Sequence, residues 1–339
     1  MSRKLLLKAV EQAYSDRRRL VAPLLGFPGI NLTNSSIKVA QQNYIEHYKV
    51  LNALYNEFHP DAMFTLMDLS VEANALGCYT LFPQEESATV LHSSFDESRL
   101  EFMNSIEIEG DSRALSYCAT VKKMSENFQD SMTCAYITGP YTLAGLILGA
   151  NKAAEMTLTN PELLDDVCGT AYEKIKTYAE MLTSSGAKAV CVLEPSAVML
   201  GPEQFIRFSA EYVKRITEIY SESDIAFIYH ICGNSMHLLE AMCDAGVNAL
   251  SLDSPETGMD IKKACKSAGD NIIVIGNINP AGKILYGTDD EVFNETEKLL
   301  NETAEFPNFV LSTGCDLPQA VPLENIRAFM DAGRKYKLP

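Results

Sequence analysis

Between Ala226 and Ser235 the chain reads AFIYHICGNS, which puts an imidazole and a thiol where an apolar, strand-forming run ends. Side chains alternate along a strand, so His230 and Cys232 lie on one side of it. Imidazole and thiolate are both good zinc ligands, and two of them supply half of a tetrahedral site. A further donor of the same kind, Cys315, ends another apolar run, FVLSTGCD. Spacing alone leaves two readings open: a metal site assembled from distant strands, or buried cysteines beside a hydrogen-bonded histidine. Asp68, Glu194, Asp253 and Asn277 also stand where apolar runs end. Asp68, Asp253 and Asn277 are each either a contact to a bound molecule or a buried, hydrogen-bonded strand end.

The elements that must position these residues follow from periodicity. After an N-terminal helix, a run from Leu20 to Ile30 reads as a strand entering a loop, Ser35 to Phe58 as one long helix, and Ala62 to Leu69 as a second strand. Cys78 to Asp111 is rich in Glu and Asp and reads as a solvated excursion with a hairpin and a helix start. Strands are expected at Thr133 to Pro140 and Ala187 to Pro195, with a helix over Pro161 to Ser185 between them. Helix and strand then alternate to the end: helices from Pro202, Ser235, Asp260, Asp289 and Leu323, and strands in AFIYHICG, VNALSLDS, NIIVIGNINP and FVLSTGCD. Continuous apolar strands separated by helices mean a parallel sheet covered on both faces. About eight such units predict an α/β fold, a single-domain (β/α)8 TIM barrel over residues 1–339 with an N-terminal helical extension. In a barrel the C-terminal strand ends converge on one face, so residues remote in sequence become neighbours there.

Composition narrows the classes of partner. A formal charge of −17 argues against nucleic acid or an anionic membrane, since both need a basic surface. No run approaches the roughly 18 apolar residues of a membrane span, and the charged N-terminal segment suits a surface helix better than a signal peptide. The nine cysteines are odd in number and scattered through apolar runs, which speaks against a disulfide framework and for a cytoplasmic protein.

Five motifs then carry a resemblance: GPYTLAGLILG from Gly139, LEPSAVMLGPEQF from Leu193, HICG from His230, GNINP from Gly276 and LSTGCDLPQAVPLENI from Leu311. In order and spacing they resemble the uroporphyrinogen decarboxylase superfamily, from about Asp61 to the C-terminus. The His-x-Cys pair with a late Gly-Cys is similar to its zinc-dependent corrinoid methyltransferase branch, of the methylcobamide:coenzyme M methyltransferase type, as is LMDLSVEANALGC from Leu66. The porphyrinogen decarboxylases carry an arginine-rich motif after the first strand, where this chain reads LLGFPGINL without Arg. Glu194 and Asn279 stand where the methyltransferase branch is expected to have Asp.

The resemblance implies zinc held by His230, Cys232 and Cys315, with a fourth position open. Glu194 then either fills that position in the empty enzyme or orients a ligand from behind. It also implies methyl transfer between a methylcorrinoid, supplied by a partner corrinoid protein, and a small thiol or other acceptor or donor. The chain has no Asp-x-His-x-x-Gly cobalamin signature of its own. Zinc would activate the substrate thiolate or the methyl-bearing heteroatom, with Asp68, Asp253 and Asn277 as contacts to the rest of the substrate. Tyr141 either lines the pocket or packs behind its strand. A metal-free lyase of the decarboxylase type, acting on a carboxylated substrate, and a non-catalytic barrel that binds a corrinoid protein are the alternatives.

Overall fold

The structure, a computed structural model, describes residues 4–91 and 95–339. The expectations that touch residues 1–3, in the N-terminal segment, and 92–94, in the acidic excursion, lie outside the described residues. Seven parallel strands form the main sheet: β1 (Ala62–Phe64), β4 (Met132–Thr138), β5 (Ala189–Leu193), β6 (Ala226–Ile231), β7 (Ala249–Leu252), β8 (Ile273–Ile278) and β9 (Phe309–Thr313), neighbours in that order. β2 (Thr80–Leu81) and β3 (Thr89–Val90) make the small antiparallel hairpin of the excursion.

The strands are apolar on both faces because both are covered. Ala189, Cys191, Leu193, Ala226 and Ile228 face an inner cluster, whereas Val190, Val192, Phe227, Tyr229 and Ile231 face the helices outside. The sheet curls until its two ends are linked through Leu20 to Ala22. Leu311 N–H donates to Leu20 O and Ala22 N–H to Leu311 O on one side, while Asp61 N–H donates to Val21 O on the other, at 2.9–3.1 Å. The strand expected from Leu20 is thus a single parallel bridge, Val21 to Leu311. The reason is local: Pro23 has no N–H to give, and the Leu24 N–H is taken by the Thr313 hydroxyl at 3.0 Å.

Other departures have equally local causes. The helix expected from Ser35 to Phe58 is two helices, Ile37–Gln42 and Tyr44–Phe58, because Asn43 leaves helical geometry and caps the second through Ile45 N–H and Glu46 N–H. The helix from Pro202 contains a π turn at Ile206–Ala210. Helices at Ser112–Asn127, Pro140–Leu148 and Ala150–Thr159 were not expected from periodicity. The N-terminal helix, Leu5–Ser15, is not merely a surface element: Leu6, Val10 and Ala13, spaced along one face, are buried in the inner cluster. Among the described residues no helix is long and apolar enough to cross a membrane.

Candidate metal centre

His230 is the last inward-facing residue of β6, and it pairs in register with Ser251 on β7. The Ser251 hydroxyl lies 3.0 Å from His230 Nδ1. That contact turns Nε2 toward the two thiols, 3.2 Å from Cys232 Sγ and 3.7 Å from Cys315 Sγ. The sulfurs are 3.6 Å apart. Among the described residues this is the one group of three His, Cys, Asp or Glu ligand atoms lying within 4.8 Å of one another. His230 is buried and the cysteines half-buried, so the group opens on one side. The loop bearing Cys315 reaches it because residue 314 is glycine: a Cβ there would stand 2.6 Å from Ser254 N.

The donor set fits zinc. Bonds of about 2.3 Å to sulfur and about 2.1 Å to nitrogen, set tetrahedrally, separate two sulfurs by about 3.8 Å and a nitrogen from a sulfur by about 3.6 Å. The sulfur–sulfur edge and the His230–Cys315 edge fall within about 0.2 Å of those values, and the His230–Cys232 edge is about 0.4 Å shorter. The contact between the thiols shifts them in opposite directions: it holds the Cys232 thiol below its ordinary range and, together with burial, pushes Cys315 up.

Two of the expected contact residues belong to the same assembly. Asp253 accepts from Gly233 N–H and from Ser254 N–H, both at 2.6 Å, and so ties the loop carrying Cys232 to the end of β7. Asn277 donates through Nδ2 to Asp253 O at 2.9 Å, while its buried Oδ1 has no partner among the described residues.

The others are placed elsewhere. Glu194 touches the centre through its backbone, with its N–H donating to His230 O at 2.9 Å. Its fully buried carboxyl turns to the N-terminus of the Pro140–Leu148 helix, accepting from Tyr141 N–H at 2.9 Å, from Thr142 N–H at 3.1 Å and from the Ser209 hydroxyl. Burial pushes its pKa up to about 7 against the pull of those bonds. Tyr141 is buried, its hydroxyl without a partner among the described residues, and burial raises that phenol to about 12. Asp68 forms a buried ion pair with Arg113 and accepts from Tyr117 OH at 3.0 Å and from Ser70 N–H at 2.8 Å. The Arg113 guanidinium also lies over the Phe82 ring, 4.8 Å from its centroid.

Ser251, Ser209 and Arg113 were missed in the sequence reading. Ser251 had a signal, since it stands two residues before Asp253 and shares its side of β7 by alternation. Ser209 and Arg113 had none, because a π turn and a helix partner are tertiary facts.

Over 282 residues the chain is 24% identical to the methylcobamide:CoM methyltransferase MtbA of Methanosarcina mazei, covering 82% of this chain and 80% of that protein. It is also 23% identical over 312 residues to the uroporphyrinogen decarboxylase of Prochlorococcus marinus, covering 88% and 87%. A solved methyltransferase structure from Methanosarcina mazei superposes with a TM-score of 0.83 at 20% identity, covering 98% of this chain and 97% of the other, a likeness of fold. The uroporphyrinogen decarboxylase (URO-D) family model matches residues 33–336. The chain therefore belongs to the uroporphyrinogen decarboxylase family.

Proposed function

We propose that the chain is a zinc-dependent methyltransferase that moves a methyl group between a corrinoid protein and a small thiol or other methyl acceptor or donor. The observation that carries this reading is the His230, Cys232 and Cys315 triplet, three corners of a tetrahedron at the C-terminal ends of the strands with the fourth side open. A zinc ion held there would act as a Lewis acid, lowering the pKa of a substrate thiol or polarising a methyl-bearing heteroatom. The chain's own residues prepare the place. Ser251 fixes the imidazole so that Nε2 is the ligand atom, and Asp253 holds the Cys232 loop. Asn277 Oδ1, buried and without a partner among the described residues, is a ready acceptor for a donor group on the substrate.

We assign Glu194 a positioning role, because its carboxyl is committed to the Pro140–Leu148 helix while its backbone N–H steadies the strand end that bears His230. Asp68 and Tyr141 remain proposed contacts to the distal part of the substrate. Leu20 to Leu24 is read as the eighth stave of a single (β/α)8 barrel domain, supported by its bonds to both ends of the sheet. The corrinoid would come with the partner protein, and nine free cysteines favour action in the cytoplasm.

The lyase reading is less well supported, since it needs a cationic pocket for a carboxylated substrate and the buried Arg113 is spent on Asp68. Methyl transfer from methylcobalamin to a panel of small thiols, and release of CO₂ from carboxylated substrates, separate the two. Wild type is expected to alkylate a thiol, and Cys315→Ser to lose at least a hundredfold of that rate. Turnover that survives Cys315→Ser, or CO₂ release without thiol methylation, would refute the proposal.

A further inference from the structure

A cavity of about 500 Å³ lies at the opposite end of the sheet from the metal centre. Barrels of parallel strands are ordinarily packed by layers of bulky branched side chains. Here several of the inward-facing residues at this end are small: Ala22, Ala62, Cys134 and Ala189 line the cavity. Phe64, Ile228, Ile275 and Val310 form its ceiling, and the N-terminal helix covers it with Leu5, Leu6 and Ala9 without filling it. The volume falls within the roughly 300–1,000 Å³ of small-molecule sites, and the walls are mainly apolar.

The rim is polar and carries an uncommitted cation. Arg18 is paired with Asp61 at 3.1 Å, but Lys188, exposed immediately before β5, makes no ion pair among the described residues. Asp130 shares the rim, so an anionic head must sit on the Lys188 side. We propose that this cavity binds an aliphatic monocarboxylate, its chain against these small residues and its carboxylate at Lys188. The site is separate from the metal centre and does not depend on the methyltransferase reading.

Isothermal titration calorimetry of the full chain with decanoate tests this. One saturable site per chain is expected, weakened at least tenfold by Ala9→Phe and Ala189→Leu, which fill the space from the helix and from the sheet. Lys188→Glu should weaken it about tenfold, and Cys315→Ser should leave it unchanged. Ala9→Phe alters only the covering helix, so it decides the matter if Ala189→Leu fails to fold by circular dichroism. Absence of saturable binding, binding that survives Ala9→Phe, or equal affinity for decylammonium would overturn the proposal.

Discussion

At the scale of single residues, the centre depends on a hydroxyl that is not itself a ligand. The Ser251 hydroxyl, 3.0 Å from His230 Nδ1, is placed to accept a hydrogen bond from Nδ1–H in the tautomer that leaves Nε2 free to bind metal. Removing such a contact weakens metal binding by roughly 10–100-fold in comparable sites. Ser251→Ala is therefore expected to release zinc to a competing chelator at correspondingly lower chelator concentration, and an unchanged competition curve would contradict the assignment. A second residue, Glu72, sets a pH dependence of stability. Its carboxyl is buried, and burial raises its pKa from 4.5 to about 7. Thr138 Oγ1 lies 2.9 Å from Glu72 Oε2 and 3.2 Å from Leu69 O. One hydroxyl proton serves only one of these acceptors well, and a protonated carboxyl can supply the second bond. A raised folded-state pKa means that the contribution is full below the unfolded value of 4.5 and is lost as pH rises through about 7, a swing of about 3 kcal/mol. Glu72→Gln, which keeps the same donor and acceptor arrangement, should lose less stability between pH 5 and pH 8 in urea unfolding. A slope identical to wild type would refute this.

At the scale of elements, the Pro140–Leu148 helix and the end of β5 are fitted to each other through Gly139 and Glu194. A Cβ on Gly139 would stand 1.8 Å from Glu194 Oε2, so the glycine is required by the carboxyl that caps the helix. Gly139→Ala should cost about 2–3 kcal/mol in urea unfolding, and most of that cost should vanish in a Glu194→Ala background. An equal cost in both backgrounds would show that the contact is not the cause. The same pair shows what sequence can and cannot disclose. Glu194 was legible as a strand-end carboxylate because an apolar run stops there. Its partner helix was not, since GPYTLAGLILG is apolar all round and has no amphipathic period to reveal it. The break at Asn43 was hidden for the opposite reason, because apolar spacing continues through it while the cap needs only one side chain. His230, Cys232 and Cys315 were legible from alternation and strand ends. Which groups face them across the sheet depends on register, and that exists only in the folded chain.

At the scale of the whole molecule, one end of the curled sheet carries the ligand triplet and the other is covered by the N-terminal helix. The parallel order of strands was readable because each strand is apolar on both faces and followed by a helix. The weak eighth position was not, because it turns on Pro23 and on one hydroxyl of β9. Curling brings His230 and Cys232, at the end of β6, against Cys315, after β9, and the functional claim rests on that convergence. Elemental analysis of protein purified without chelator, for wild type and Cys232→Ser, tests it most directly. The account predicts close to one zinc per chain in the wild type and a loss of most of it in the variant. A wild type without zinc, or a Cys232→Ser protein that retains it in full, would contradict the assignment.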